Sequence, residues 1–319
     1  MYSNIRKFWG DLKIGIISFL TIISPTLNSR VVYRQKMHKQ LILKNPKTLN
    51  EKLMWLKLYR YNNCELACIC CDKVAVREYV IEKGCENYLT QSYGVYDKPE
   101  DIEWGRLPDS FVVKWNYGSG YNIFCKNKKT FDINEAVSTL KQWQKSGKHW
   151  LLFSELQYEK MPQKILIEEM IETEDGLPPR DYKIFCSYGV PKLLFVASER
   201  INNRTKFDYY YPDWTWIPVI NGHPNAGDIL KKPDQLEEML EVASKLSSDF
   251  PLVRVDFYLE EGKIYFGEIT FSHFCCRTPF EPDEYDSIFG DLFPIDKEIK
   301  TGKDYTRPQK NWKHKIPAQ

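Results

Sequence analysis

The chain offers no apolar run of the ~20 residues that a bilayer-spanning helix needs. Its N-terminal part comes nearest with Ile14–Ile23, reading IGIISFLTII. Arg6, Lys7 and Lys13 precede that run as they would in a signal peptide, but Ser24-Pro25-Thr26-Leu27 supplies no small-x-small cleavage site. The run therefore reads as a helix resting on a membrane surface or on the protein's own core. Cysteine is plentiful, at nine residues, yet it lacks the pattern of a metal site. The cluster Cys64, Cys68, Cys70, Cys71 does not supply the paired C-x-x-C spacing of a zinc ribbon and has no His beside it, so reduced thiols are the simpler account. No Asp-x-Asp occurs, where a metal-dependent enzyme acting on nucleotide sugars would usually carry one. Internal repeats and low-complexity segments are absent too, which sets aside solenoids and repetitive linkers.

The 319 residues suffice for two or three lobes with real cores, and 43% hydrophobic with 28% charged residues is an ordinary globular composition. Twenty Tyr and nine Trp hint at aromatic ligand contacts. Net charge is only +2, but it is unevenly spread. Residues 1–60 hold twelve Lys and Arg against two acids, an excess of +10 that leaves −8 on the remainder. A basic part of this kind suits an anionic lipid surface or a phosphorylated partner.

Thr48-Leu49-Asn50-Glu51 is a capping box that opens a helix through Tyr59. Asp72 caps a helix over Lys73–Lys83, stopped at Gly84. Phe111–Trp115 and Asn122–Cys125 read as strands on either side of a Gly-rich loop. Asp132 and Glu135 begin a helix through Lys145 with Ile133, Val137, Leu140 and Trp143 on one stripe. Lys164–Ile171 is a strand, Asp181–Ser187 and Lys192–Ser198 form a hairpin about Gly189-Val190-Pro191, and Pro233, Asp234 and Glu237 start a helix through Ser247. The pattern is α+β with largely antiparallel sheets, in two lobes behind a helical N-terminal part.

Leu252–Phe271 (LVRVDFYLEEGKIYFGEITF) reads as two strands about a three-residue loop, Glu260-Glu261-Gly262, with the Gly in the left-handed region. That loop pairs Leu259 with Lys263, sets Arg254 opposite Glu268 and sets Asp256 opposite Phe266. Alternation then puts Val253, Val255, Phe257, Tyr265, Gly267, Ile269 and Phe271 on one face. Arg254, Asp256, Tyr258, Phe266, Glu268 and Thr270 share the other. Two readings are open. One is a cross-strand ion pair on a solvated face, worth under ~1 kcal/mol. The other is a Mg2+ site, since Asp256 and Glu268 within diagonal reach repel each other unless a cation lies between them. The irregular SHFCCRTPF that follows is of the sort that builds a pocket wall.

Earlier segments carry further candidates. Gly118-Ser119-Gly120 is either a structural turn or a loop whose N–H groups close over phosphates. Lys114, just before it, shares its face with Val112 and Asn116 rather than with Val113 and Trp115. Glu168-Glu169 lies in an apolar strand, so one carboxylate meets the less polar face and needs a donor, unless the strand is already leaving for solvent. An adenine amino group or a ribose hydroxyl would serve. Lys183 faces the same way as Asp181 and Phe185, as a structural ion pair or as a phosphate contact.

In this order, the chain resembles the ATP-grasp fold, and more closely the TupA-like ATP-grasp family of bacterial surface-polysaccharide and teichuronopeptide gene clusters. The resemblance is carried by LKNPKTLNEKLMWLKLY (43–59), DKVAVREYV (72–80), FVVKWNYGSGYNI (111–123), DYKIFCSYGVPKLL (181–194), FPLVRVDFY (250–258), GKIYFGEITF (262–271) and PFEPDEYDSIFGD (279–291). With the charge distribution, the resemblance divides the chain into a basic, apolar-containing N-terminal segment 1–45, a helical subdomain 46–105, a small ATP-grasp lobe 106–170, a large lobe 171–295 bearing the metal, and a basic tail 296–319. It implies that Lys114 and Lys183 hold the phosphates of ATP, under Gly118, Ser119 and Gly120. Glu168 and Glu169 would receive adenine and ribose, Asp256 and Glu268 would carry Mg2+, and Arg254 with Lys183 would serve the transfer itself. Thr270 stands where many ATP-grasp enzymes have an Asn metal ligand. Ser-His-Phe-Cys-Cys-Arg replaces a Gly-containing segment of the relatives, which reshapes the acceptor pocket. His273 there is a backbone-bonded loop histidine or an acceptor contact, and Arg277 suits a substrate carboxylate.

The activity implied is a carboxylate–amine ligase working through an acyl phosphate. Its partners would be ATP, a uronic acid on a lipid-linked glycan, and an amine such as an amino acid, with no nucleic acid. A cytoplasmic enzyme held at the inner face of the membrane through residues 1–45 follows from the same context. A glycosyltransferase of such a cluster, or a phosphotransferase or non-catalytic relative, are the rival expectations.

Overall fold

A computed structural model of the chain describes residues 2–146, 149–174, 176–200 and 204–295. The expected basic tail, 296–319, lies outside the described residues, as do the side chains of residues 2–11. Five helices precede the first strand: α1 (Tyr2–Ile23), α2 (Pro25–Met37), α3 (Leu49–Tyr59), α4 (Glu65–Cys71) and α5 (Val76–Glu82). Ser24 separates the first two, its hydroxyl accepting from Leu27 N at 3.2 Å while Pro25 opens α2. The capping box on α3 forms as expected, with Thr48 Oγ1 accepting from Glu51 N at 3.2 Å and Glu51 Oε2 from Thr48 N at 3.3 Å. Asp72 caps too, but regular helix starts only at Val76, because Asp72 Oδ1 draws in Val74 N at 2.8 Å and holds a turn. The cysteine cluster lies on α4, where Cys70 and Cys71 are buried and burial pushes both thiols up.

Strands β1 (Ser92–Tyr96), β2 (Phe111–Trp115), β3 (Asn122–Cys125) and β4 (Ile165–Glu168) make an antiparallel sheet in the order β1-β4-β2-β3. The segment read from sequence as helical, 46–105, thus also contributes an edge strand to it. Between β3 and β4 run α6 (Ile133–Ser146) and the single turn α7 (Trp150–Phe153). Thr21 of α1 is buried and donates to Leu151 O at 2.5 Å, and Asn28 of α2 donates to Leu152 O at 3.1 Å. The C-terminal end of Ile14–Ile23 is therefore seated on the protein. Leu12, Ile14, Ile16, Phe19, Ile22 and Ile23 remain exposed, and among the described residues no helix is long and apolar enough to cross a membrane.

The second sheet has six antiparallel strands in the order β10-β9-β5-β6-β7-β8. They are β5 (Arg180–Ser187), β6 (Val190–Ser198), β7 (Lys206–Tyr210), β8 (Trp216–Ile217), β9 (Val253–Glu260) and β10 (Lys263–Thr270). Helix α8 (Leu236–Ser247) buries Leu236, Met239, Val242, Ala243 and Leu246 against it. Helix α9 (Glu284–Asp291) packs on the start of α3, where Lys52 Nζ donates to Gly290 O at 2.6 Å and Asn50 N to Asp286 Oδ1 at 2.9 Å.

The register of the β9–β10 hairpin differs from the expectation twice. Its loop has two residues, Glu261 and Gly262, both left-handed (φ 48° and 76°), so Lys263 pairs with Glu260 rather than with Leu259. Phe266 then pairs with Phe257 and takes the buried face, while Tyr265 pairs with Tyr258. A bulge at Gly267 inserts one residue, after which Glu268 lies directly opposite Asp256 and Thr270 opposite Arg254. A Cβ at Gly267 would stand 3.0 Å from the Asp256 carbonyl oxygen, which explains the absence of a side chain there.

Candidate functional site

Strand β10 is an edge strand, and it meets the four-stranded sheet across a cleft lined by Lys73, Arg77, Lys114, Glu168, Phe266 and Gly267. Lys114 and Glu168 lie on the same face of neighbouring strands and pair through Nζ and Oε1. Arg77 Nη1 stands 3.6 Å from the other oxygen of Glu168. The buried carboxylate of the acidic strand thus takes its donors from the protein, not only from a ligand. Glu169 sits outside this pair, where its Oε2 accepts from Gln91 N at 3.2 Å. Gly118 and Gly120 both adopt positive φ (77° and 84°), and Lys73 Nζ anchors the loop by donating to Gly118 O at 2.7 Å. Among the described residues, no backbone carbonyl accepts from the N–H groups of Gly118, Ser119 or Gly120.

On the six-stranded sheet, Arg254 and Asp256 share a face two residues apart. The guanidinium grips the carboxylate with two bonds, Nε to Oδ1 at 2.7 Å and Nη2 to Oδ2 at 2.6 Å. Lys183, the cross-strand neighbour of Asp256, reaches Oδ2 at 2.5 Å and also Asp181 Oδ2 at 2.7 Å. Arg200 Nη1 lies 3.5 Å from the same Asp181 oxygen. Thr270 accepts from Arg254 Nη2 at 3.0 Å and donates to Glu268 Oε1 at 2.7 Å. Enclosure of the site pushes the Glu268 carboxyl up, but Lys73, Lys183, Arg254 and the Thr270 hydroxyl outweigh it and hold it down at about 2. Six cations (Arg77, Lys114, Lys73, Arg254, Lys183, Arg200) therefore surround four carboxylates (Glu168, Glu268, Asp256, Asp181).

The residues fit a divalent cation that also takes phosphate oxygens. Asp256 and Glu268 are directly opposed, Glu268 is kept ionised, and among the described residues its polar contacts fall on Oε1, leaving Oε2 uncommitted. Asp256 has both oxygens engaged and would join by exchanging one of them. Thr270 already uses its hydroxyl as donor and acceptor, and among the described residues no group of three or more His, Cys, Asp and Glu could hold a metal. Two carboxylates plus substrate oxygens is the usual set for Mg2+.

His273 is brought beside this network but not to its surface, being only 3% exposed. Arg254 Nη1 meets its Nδ1 at 2.5 Å, and Asn221 Oδ1 meets its Nε2 at 3.0 Å. An arginine only donates, so Nδ1 accepts and Nε2–H donates to Asn221. The ring bonds to side chains rather than to backbone. Arg277 is half-buried, with its guanidinium 4.4 Å from the centre of the Phe153 ring. Lys73, Arg77 and Arg200 were given no role from sequence.

A family model described as TupA-like ATPgrasp matches residues 51–294. The chain belongs to the TupA-like ATP-grasp family. The two antiparallel sheets with a helical N-terminal part are this family member's version of the ATP-grasp fold. None of the functionally curated proteins matches the chain. Among solved structures it is similar to a D-alanine–D-alanine ligase from Bacillus anthracis complexed with ATP, at 16% identity and a TM-score of 0.41, over 64% of this chain and 55% of that one. An N5-carboxyaminoimidazole synthetase from Staphylococcus aureus complexed with ADP matches at 13% identity and 0.39, over 63% and 44%. An L-amino acid ligase from Bacillus licheniformis matches at 16% and 0.38, over 63% and 40%. The match thus spans about half the length of these proteins, and the family model alone carries the assignment.

Proposed function

We propose that the chain is an ATP- and Mg2+-dependent ligase joining a carboxylate to an amine. The observation that carries this reading is the convergence of Lys73, Lys183 and Arg254 on the opposed pair Asp256 and Glu268, beside Lys114 and the Gly118–Gly120 loop. An excess of cations around two carboxylates suits a polyphosphate and a divalent ion held together. Membership in the TupA-like ATP-grasp family supports it.

In this reading Lys114 and Lys183 hold the phosphates, and the N–H groups of Gly118, Ser119 and Gly120 close over them. Glu168 and Glu169 border adenine and ribose. Asp256 and Glu268 would hold Mg2+, with the Thr270 hydroxyl orienting Glu268, and the ion when bound neutralises charge on the phosphates. A substrate carboxylate oxygen forms a bond to the γ-phosphorus as the bond to the ADP oxygen breaks. Arg254 balances the charge that gathers on the transferred group. The amine nitrogen then attacks the acyl carbon, a C–N bond forms, phosphate leaves, and the nitrogen gives up a proton. Arg277 faces the acceptor side, while His273 positions Arg254 from behind.

The family context favours a uronic acid on a lipid-linked glycan and an amino acid as the pair joined, in bacterial surface-polysaccharide synthesis. Residues 1–45 would keep the enzyme at the inner face of the membrane, since α1 exposes apolar residues and α1 and α2 together carry Lys13, Arg30, Arg34 and Lys36. The test is purified protein with ATP, Mg2+ and hydroxylamine across a panel of uronic acids and amino acids. Hydroxamate with ADP release is expected, and Glu268→Gln should abolish both while circular dichroism stays unchanged. Absence of ADP release on every substrate, with sugar transfer from a nucleotide sugar, would sink the ligase.

A further inference from the structure

Just past the end of β10 stands a second cluster of charges. Ser272, two residues beyond Thr270, donates to Glu155 Oε1. Lys57 is fully buried near Glu155, and its Nζ donates to the Phe153 carbonyl at 2.6 Å. Arg277 lays its guanidinium over the Phe153 ring, and its Nε is buried with no acceptor. Glu155 and Arg277 lie within electrostatic reach of each other, yet among the described residues they form no ion pair. Among the described residues two cations face this one carboxylate, and the Arg277 Nε–H has no acceptor. Buried charge is ordinarily paired, which makes the gap a place for an anion.

The cluster adjoins the cleft. The Tyr158 hydroxyl lies within electrostatic reach of both Glu155 and Glu268. The chain that carries Arg277 is also held in an unfavourable shape. Phe274, Cys275 and Cys276 adopt φ of 45°, 54° and 59° in succession. Left-handed backbone is unfavourable for non-glycine residues, and strain of this kind concentrates where ligands are held.

We propose that Arg277 and Glu155 form the subsite for a free α-amino acid, the amine partner of the ligation. A planar carboxylate matches the guanidinium fork, and the ammonium on the adjacent carbon meets the oxygen of Glu155 that Ser272 leaves open. Phosphate or a simple carboxylate would answer only the arginine. Burial pushes the Glu155 carboxyl up, and Lys57 behind it with the Ser272 hydroxyl works against that rise, so the cluster presents an acid and a guanidinium to the two ends of one zwitterion. This assignment rests on the ligase reading and names its second substrate.

The test is isothermal titration calorimetry on the full chain, first with ADP and Mg2+, then with a panel of free amino acids and their N-acetyl and carboxamide forms. At least one free amino acid should bind, and blocking either charge should weaken it about tenfold or more, because the partner group in the pocket is then left unpaired. Arg277→Met and Glu155→Gln should each cause a similar loss with ADP affinity unchanged, and Arg277→Lys should restore part of it. The subsite is overturned if no free amino acid binds, if the N-acetyl forms bind equally well, or if Arg277→Met binds as the parent does. Arg277 is half-buried, so that variant remains informative if Glu155→Gln fails to fold. Loss of ADP binding in the parent protein would instead remove the ligase reading itself.

Discussion

A protonated His273 would have no place for its second N–H, because Nδ1 faces the guanidinium of Arg254. Burial, with Arg254 and Lys183 adding to it, holds the ring well below the usual histidine pKa. The sign of the pH dependence follows. Above the unfolded value of ~6.5 both states are neutral and the full stability is present. As pH falls below it, the unfolded chain takes a proton that the folded chain refuses, and stability drops by up to about 1.4 kcal/mol per pH unit. Urea midpoints taken from pH 7.5 to 5.5 should therefore fall more steeply for the parent than for His273→Gln; parallel slopes would remove this account. At this scale the sequence was informative where partners are near in the chain. Lys183 with Asp181, and Glu51 with Thr48, could be read from spacing alone. Lys73 could not, because its meaning depends on Gly118, 45 positions away, and on Glu268.

Among the elements, α3 and α9 meet so closely that one glycine decides the contact. A Cβ at Gly290 would lie 2.0 Å from the Lys47 carbonyl oxygen and 2.9 Å from Thr48 backbone atoms, immediately before the α3 capping box. Backbone cannot rotate aside as a side chain can, so Gly290→Ala should cost about 3 kcal/mol, at the upper end of overpacking penalties. Chemical denaturation would measure it, and a loss under about 0.5 kcal/mol, the range of an ordinary surface change, would show that the helices separate freely. The elements legible in the sequence were those with caps or alternation, such as α3, α6, α8 and the β5–β6 hairpin. Strand β7 escaped because Phe207, Asp208, Tyr209 and Tyr210 are all buried, so both faces are covered and no alternation shows. The hairpin was recognised but its faces were half misread, since neither the two-residue loop nor the bulge leaves a mark in a period-two pattern.

For the molecule as a whole, charge separates along the chain. Between Leu12 and Met37 there are no acids, while Lys13, Arg30, Arg34 and Lys36 accompany the exposed Phe19, Ile22 and Ile23. Vesicles rich in anionic lipid should co-sediment the protein, neutral vesicles should not, and Phe19→Asp with Ile22→Asp should reduce binding several-fold without changing ATP turnover in solution. Equal recovery with both vesicle types would dismiss an electrostatic role. The bulge at Gly267 carries one more consequence. Because the extra residue falls between Phe266 and Glu268, deleting it would still leave Glu268 across from Asp256 and Phe266 across from Phe257. Pairing does not need that glycine; curvature does. A shortened hairpin would keep its list of partners intact and straighten the edge that meets the other sheet, so the chemistry would be lost through a change of shape that no inventory of contacts records.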